Sequence, residues 1–254
     1  MDPLPVLAML GAGLAAGTMN AIVGAGSLIS FPTLLLLGYS PLIANVSNTV
    51  GLVPGVLSGA VGYRRELAGQ RRRAGPLIVA SVLGGLTGGL LLLVLPESAF
   101  ERIVPILILL ACVLVAIQPR LSRALAERRT SAGRSHGEGG PVLFVGVFLT
   151  AIYGGYFGAA QGVILIALLA ILVSDDLRRL NGLKIVLAAA VNGVAAILFI
   201  ALTPVAWTPA ILIAIGSIVG GQVGAHVGRR LSPFALRTVI IVVGTTVSLK
   251  LLLG

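Results

Sequence analysis

Apolar residues are arranged along this chain in ten runs, separated by short polar or glycine-rich breaks. Most runs have the roughly 20 residues that a helix needs to cross a hydrocarbon core of about 30 Å, but the second and seventh are about half as long. The pattern predicts an all-α polytopic membrane protein with about ten transmembrane or half-membrane helices. The predicted segments are 4–23, 28–37, 42–62, 76–95, 99–118, 142–157, 163–173, 180–202, 209–227 and 234–252.

Glycine-rich breaks precede both short runs. The first break, 24–27 (GAGS), ends the first segment, and the second, 153–162 (YGGYFGAAQG), precedes the seventh. Unpaired backbone groups are costly in lipid, so a helix is interrupted there only where it faces protein or a water-filled cavity. Paired interrupted helices in two halves are typical of a transporter's binding site. The alternative is that these glycines only allow helices to cross closely.

Five segments lie on each side of a central, arginine-containing stretch. This arrangement predicts a first membrane repeat at 1–118, a cytoplasmic linker at 119–140 and a second membrane repeat at 141–254, which together form one membrane domain. An odd number of segments in each half gives related halves opposite orientations, so we expect an inverted-topology repeat with paired broken or short helices.

Composition and charge agree with a membrane location. Hydrophobic residues make up 57% of the chain and charged residues 10%, which no soluble domain of this size could bury. The net charge of +10 comes from arginines and lysines in short loops between apolar runs. This positive-inside pattern places the Arg-rich loops in the cytoplasm and both termini in the periplasm of a bacterial inner (plasma) membrane. Met1-Asp2-Pro3 has no basic n-region, so we expect the first segment to be retained.

The same charge pattern also predicts which partners the chain binds. The basic loops are expected to contact membrane lipid, and without interleaved aromatic residues they predict no nucleic-acid binding. No metal-ligand spacing, phosphate loop or catalytic triad is evident in the sequence, so we expect no cofactor, no metal and no enzymatic activity. The small-residue faces Gly84/Gly85 and Gly88/Gly89 suggest a homodimer contact.

The residues around the first break carry a family resemblance. The stretch 13–50 (GLAAGTMNAIVGAGSLISFPTLLLLGYSPLIANVSNTV) resembles the first-repeat signature of the sulfite exporter TauE/SafE family, and 153–197 resembles its second repeat. The resemblance implies a secondary transporter, an exporter in the family's name, that moves a small sulfur-containing anion by alternating access around a midplane site. Sulfite, thiosulfate and an organosulfonate such as sulfoacetate are the substrates it implies. The alternatives to a secondary transporter are a passive anion channel and a membrane subunit of a larger complex.

An anion site in a membrane requires hydrogen-bond donors, which helix N-termini and amide side chains supply. The two breaks provide such helix starts, and the third segment carries polar residues at helical i, i+3, i+4 spacing from Asn45. Polar side chains in lipid are costly unless partnered, so we expect this face to point inward. The predicted substrate-binding residues are Asn20, Gly24, Gly26, Ser27, Asn48, Thr49, Gly158, Gln161, Gly162 and Lys184.

Several of these residues have two interpretations. Lys184 either contacts the anion directly or extends to the cytoplasmic surface beside Arg178 and Arg179. Gln161 either lines the cavity or caps its helix. Tyr153 and its neighbour Tyr156 either close over a ligand or pack inside with one hydrogen bond. The pair Asp175-Asp176 is expected to cap the eighth segment.

Overall fold

The computed structural model describes residues 3–131, 140–227 and 234–253, which form ten α-helices and, within those residues, no strand. The predicted fold class is therefore confirmed. The helices are α1 (Pro3–Ile22), α2 (Ser27–Leu36), α3 (Pro41–Gly62), α4 (Arg71–Val94), α5 (Glu97–Ser131), α6 (Gly140–Tyr156), α7 (Gln161–Leu172), α8 (Leu177–Leu202), α9 (Trp207–Val227) and α10 (Phe234–Leu253).

Helix length separates the helices of the described chain that could cross a membrane from four shorter apolar ones, which include α6 and the apolar part of α10, Ile241–Leu251. In the described part of the chain, six helices are long and apolar enough to cross a membrane: α1, α3, α4, α5, α8 and α9. Both α2, with 10 residues, and α7, with 12, are too short to do so. These are the two half-membrane segments that the sequence predicted.

The end of α5 differs from the predicted segment. The helix continues past residue 118 and through Pro119 to Ser131, so the beginning of the expected linker is helical. Good helix formers follow the proline, in the stretch 120–129 (RLSRALAERR), and they favour this continuation. Residues 132–139 lie outside the described part of the chain, and the division into repeats stays a prediction.

Two groups of three helices pack closely through glycines, and they are α1 with α3 and α9, and α4 with α6 and α8. In the first group, Gly17 of α1 and Gly55 of α3 both lie against the backbone of Ser217 in α9. In the second group, Gly84 of α4 packs on α6 and Gly85 packs on α8. Small residues let helix backbones approach closely, which is how helices associate without a hydrophobic driving force.

The faces of α4 that suggested a homodimer are filled by the chain itself. Backbone atoms of α6 lie against Gly84 and Gly88, and side chains of α8 lie against Gly85 and Gly89. A second copy therefore has no access to these glycines. A homodimer through another surface stays a prediction.

The packing of the two halves follows one scheme. Helix α1 packs on α9 as α6 packs on α4, and α3 packs on α9 as α8 packs on α4. The short helix α2 contacts α1 and α3, just as α7 contacts α6 and α8. Helices α3 and α8 also pack on each other. This contact between the halves places the two breaks next to one another.

Candidate functional site

The first break begins at the C-terminal end of α1, where the backbone leaves the helix. The backbone amides of Val23 and Gly24 both donate to the carbonyl of Met19, at 2.8 and 2.9 Å. Gly24 has a φ of +86°, which glycine adopts without steric cost, and this ends α1. The amide of Gly26 then donates to Oδ1 of Asn20 at 2.7 Å, immediately before α2 begins.

The second break repeats this construction. The amides of Phe157 and Gly158 both donate to the carbonyl of Tyr153, at 2.9 and 3.1 Å, and Gly158 has a φ of +75°. The hydroxyl of Tyr153 donates to the carbonyl of Ala159, so this tyrosine packs inside with one hydrogen bond. Helix α7 then begins at Gln161, after Ala160.

The two breaks touch each other. The amide of Gly162 donates to the carbonyl of Gly24 at 3.0 Å, and a Cβ at either position would overlap the other residue's backbone. The starts of α2 and α7 are therefore held side by side in the interior. Both bring the partial positive charge of a helix N-terminus to that place.

Each half also holds the broken helix of the other half. The side-chain amide of Asn45 in α3 donates to the carbonyl of Tyr156, at the end of α6, at 3.1 Å. The side-chain amide of Asn181 in α8 donates to the carbonyl of Ala21, at the end of α1, also at 3.1 Å. Both bonds satisfy carbonyls that a helix end leaves without an intrahelical partner.

Lys184 lies inside the protein beside these helix ends. Its side chain is 1% exposed, and its Nζ donates to the carbonyl of Asn20 at 3.4 Å. Within residues 3–131, 140–227 and 234–253, no carboxylate forms an ion pair with it. The interpretation that Lys184 extends to the cytoplasmic surface is therefore wrong, since α8 turns this side chain toward the breaks.

A cavity lies between the breaks, α3 and α8. Its polar lining includes the Ser27 hydroxyl and Nε2 of Gln161. Among the described residues this Nε2 has no hydrogen-bond partner, although Gln161 is only 3% exposed. The volume that the centre of a water-sized sphere can occupy in this cavity is about 20 Å³. One water needs roughly 10–15 Å³ by this measure, so the cavity in this conformation fits water but is narrow for a larger ligand.

Seven of the ten predicted binding residues line this cavity. Gln161 is among them, so it lines the cavity rather than only capping its helix. The seven are Asn20, Gly24, Ser27, Gly158, Gln161, Gly162 and Lys184.

The other three predicted residues have different surroundings. Gly26 packs against the backbone of Ala16. The side chain of Asn48 accepts a hydrogen bond from the hydroxyl of Ser30, and the hydroxyl of Thr49 donates to the carbonyl of Asn45 at 2.9 Å. The polar face of α3 does point inward, but it serves contacts between helices.

The structure adds lining residues that were not among the predicted ones. Asn192 lines the cavity beside Gly158, two turns after Lys184 on α8, and that spacing was a signal for it in the sequence. An apolar side is formed by Ala21, Val56 and Ile185, which belong to one buried cluster. Apolar residues in a chain this hydrophobic carry no signal that separates them from ordinary packing.

An ion-pair cluster lies at the start of α8, outside the membrane-spanning segments. Asp175 pairs with Arg73 and with Arg179, each at 2.9 Å. The N-cap residue of α8, Asp176, forms no capping hydrogen bond through its side chain. Asp175 binds the side chains of Arg73 and Arg179. Burial raises the pKa of Asp175, but the hydrogen bonds from Arg73 and the Asp176 amide, with the charges of Arg179 and Arg73, outweigh burial and hold the pKa below its usual value.

Comparison with known proteins places the chain among membrane transporters. The sequence model of the family described as "Sulfite exporter TauE/SafE" matches residues 9–251. The "Probable membrane transporter protein YfcA" of Escherichia coli (strain K12) is 23% identical over 252 residues, which cover 99% of this chain and 91% of that protein. A "Probable membrane transporter protein" of Haemophilus influenzae is 24% identical over 242 residues, covering 94% of this chain and 91% of that protein.

A third relative is also described as a probable membrane transporter. The "Probable membrane transporter protein ORF9" of Sinorhizobium sp is 22% identical over 239 residues, covering 93% of this chain and 88% of that protein. No solved structure matches the chain significantly. Because the family match covers nearly all of the sequence, this multi-pass membrane transporter belongs to the sulfite exporter TauE/SafE family.

Proposed function

We propose that this protein is a secondary transporter that moves a small sulfur-containing anion by alternating access around the cavity between its two breaks. Sulfite, thiosulfate and an organosulfonate such as sulfoacetate are the candidate substrates, and export is the proposed direction. The observation that carries the proposal is Lys184, a buried lysine with no carboxylate partner in the described chain, beside two helix starts.

The chemistry of the cavity favours an anion. A buried ammonium without a counter-ion is costly in a membrane interior, and a bound anion would remove that cost. The start of α7 contributes the unpartnered Nε2 of Gln161, and the start of α2 contributes the Ser27 hydroxyl. Charge-assisted hydrogen bonds from such donors are stronger than those between neutral groups.

The sulfur in the proposed substrate rests on the family alone. The family's description names a sulfite exporter, whereas the relatives' names state only probable transport across a membrane. Lysine, amide and hydroxyl donors would bind any small oxyanion of suitable charge. The proposal therefore assigns binding of an oxyanion to the cavity and takes sulfur from the family.

The symmetric packing supports alternating access. Two related halves of opposite orientation can exchange conformations, which would open a central site to one side and then to the other. Inverted repeats at 1–118 and 141–254 are consistent with three features. Both halves have a break, both have the same packing scheme, and each holds the other's broken helix by an asparagine hydrogen bond, from Asn45 or Asn181. The small room in the cavity favours a carrier closed around its site over a passive channel.

The proposed orientation follows the charges. The Arg-rich loops would lie in the cytoplasm, and both termini would lie in the periplasm of a bacterial inner membrane. The ion pairs of Asp175 would then lie on the cytoplasmic side, together with the loop between α3 and α4.

The test is anion flux through the purified full chain in liposomes. Sulfite, thiosulfate and sulfoacetate are compared with and without a pH gradient, and at least one should enter with saturable kinetics. Lys184→Gln should lower the transport efficiency by about 100-fold or more, because the anion loses its charged partner in a buried site.

Lys250→Gln is the matched control, because this exposed lysine lies near the end of α10 and away from the cavity. It should transport like the unaltered chain. Unchanged flux in folded Lys184→Gln would remove the lysine from the site. Absence of saturable flux for every anion would overturn the proposal.

A further inference from the structure

We infer that Lys184 carries one proton together with each transported anion, so that the protein couples anion transport to proton movement. This inference rests on the proposed function and adds to it the coupling ion and the residue that carries that ion. It follows from the surroundings of one buried amine, which change when an anion enters the cavity.

The Lys184 amine is buried among neutral groups. Among the residues that line the cavity, Lys184 alone is ionisable. The helices α1, α2, α3 and α7, which surround the cavity together with α8, contain no aspartate, glutamate, histidine, lysine or arginine. The lysine side chain is 1% exposed, and its Nζ donates to the carbonyl of Asn20 at 3.4 Å.

The other ionisable groups around α8 lie near its first turn or on another of its faces. Glu66 packs against Gly182, two residues before Lys184 and therefore about 200° away around the helix. The tyrosines of α6, Tyr153 and Tyr156, bring no charge at neutral pH. Those near the first turn, from the start of α4, the turn before α8 and α8 itself, are Arg71, Arg72, Arg73, Asp175, Asp176, Arg178 and Arg179. No described carboxylate forms an ion pair with Lys184.

The helix ends around the cavity do not replace a counter-ion. The end of α1 favours an ammonium beside it, whereas the starts of α2 and α7 disfavour one. Each of these contributions is small compared with the cost of burying a single unpaired charge. The neutral amine is therefore the stable form of Lys184 while the cavity holds no anion.

A bound anion reverses this balance. Its charge stabilises an ammonium at Nζ by direct attraction in surroundings of low dielectric constant. The amine nitrogen then takes up one proton from the side to which the site is open. After the site opens to the other side, the proton leaves with the anion, and the neutral amine is restored for the return step. Anion binding and proton binding therefore strengthen each other by the same factor.

This coupling is compatible with export of the proposed substrates. Sulfite, thiosulfate and sulfoacetate each carry two negative charges when fully deprotonated, so the loaded site would move with one net negative charge. A membrane potential that is negative inside drives such a charge outward. An inward proton gradient opposes the same movement, so the two driving forces can be separated by experiment.

Proton uptake on anion binding tests the inference. Thiosulfate and sulfoacetate are the probes because both remain deprotonated at neutral pH, and sulfite is used at a pH at which it is deprotonated too. Calorimetric titration of the purified full chain, in buffers of different ionisation enthalpy, should show uptake of close to one proton for each anion bound. In liposomes that contain a pH-sensitive dye, anion entry should acidify the interior by about one proton for each anion.

Two variants separate the proton from the charge. Lys184→Arg keeps a positive charge that is not lost at accessible pH, so anion binding by this variant should take up no proton. Lys250→Gln, at an exposed position away from the cavity, is the control and should take up the proton as the unaltered chain does.

The outcomes distinguish the inference from the proposed function. Anion binding and transport by the unaltered chain without proton uptake would overturn the inference while leaving anion transport standing. Undiminished proton uptake by Lys184→Arg would overturn the assignment of the proton to this residue. Failure of all three anions to bind and to cross the liposome membrane would overturn the proposed function, and the inference with it. The measurement on the unaltered chain decides the coupling even if Lys184→Arg does not fold.

Discussion

The two breaks are alike in backbone and unlike in side chains. Each ends a helix with two amides on one carbonyl and a left-handed glycine, and each is held by an asparagine of the other half. At the position of α3 that corresponds to Lys184 of α8, however, the first half has Asn48, which bonds Ser30. The backbone features that the two halves share build the cavity, and a difference between their side chains places the lysine in it.

A second difference concerns the far ends of the short helices. The turn between α7 and α8 is fixed by the Asp175 pairs with Arg73 and Arg179. The corresponding turn between α2 and α3 has no ion pair among the described residues, and the side-chain bond it makes to another helix is an exposed 3.4 Å hydrogen bond from Ser40 to Glu97. In the second half, which contains Lys184, the turn between α7 and α8 is thus held by stronger side-chain interactions than the turn between α2 and α3 in the first half.

The largest expected effect comes from adding a methyl group where the breaks touch. Gly24→Ala forces an L-residue into a left-handed backbone and drives its Cβ into the backbone of Gly162. Strain and overlap together should destabilise the protein by about 3 kcal/mol or more, with loss of transport. Thermal unfolding in detergent and flux in liposomes measure the two effects.

The corresponding change at the second break should cost less. Gly158→Ala meets the same backbone strain, but the nearest atom to its Cβ would be the carbonyl oxygen of Gly154 at 2.9 Å, against 2.4 Å for Gly24→Ala. Gly193→Ala, with nothing within 4 Å, is the control and should be neutral or stabilise by up to about 1 kcal/mol. If Gly158→Ala were as damaging as Gly24→Ala, the contact between the breaks would not be the cause.

The ten helices and both breaks could be predicted because each is encoded locally. Apolar run length sets the helices, and glycine at 24 and 158 sets the breaks. The lysine could be selected as a candidate, but only the packing of α8 decided between its two interpretations. The partners of Asn45 and Asn48 could not be predicted, since a buried polar face does not reveal which groups it meets; the bond of Asn45 spans 111 residues.

Removing the two asparagine bonds should separate their structural and functional roles. Asn181→Ala and Asn45→Ala each leave a helix-end carbonyl without its partner, and each should destabilise the protein by about 0.6–2 kcal/mol. Only Asn181→Ala should also weaken anion binding, by several-fold, because the freed carbonyl of Ala21 is adjacent to the one that holds Lys184.

Ligand-induced thermal shifts in the two variants provide the measurement. The expected result is a similar loss of stability in the absence of anion, with a smaller anion-induced shift in Asn181→Ala. Equal anion-induced shifts in both variants would mean that the end of α1 has no special role in placing the lysine.

The smallest expected effect tests the difference between the two turns. The pKa of Asp175 in the folded protein is held below its usual value of 3.8. The ion pairs of Asp175 therefore stabilise the fold fully at pH values above the pKa of the unfolded chain. This stabilisation is lost as the pH falls through the lowered pKa of the folded state. Asp175→Asn should therefore cost about 1 kcal/mol at pH 7 and should remove part of the decline in stability that the unaltered chain shows below about pH 4. Glu97→Gln, at the exposed bond to Ser40, should cost less than about 0.5 kcal/mol. Thermal unfolding of the three proteins from pH 7 to pH 3 checks this, and equal losses at the two turns would contradict the stronger tie in the second half.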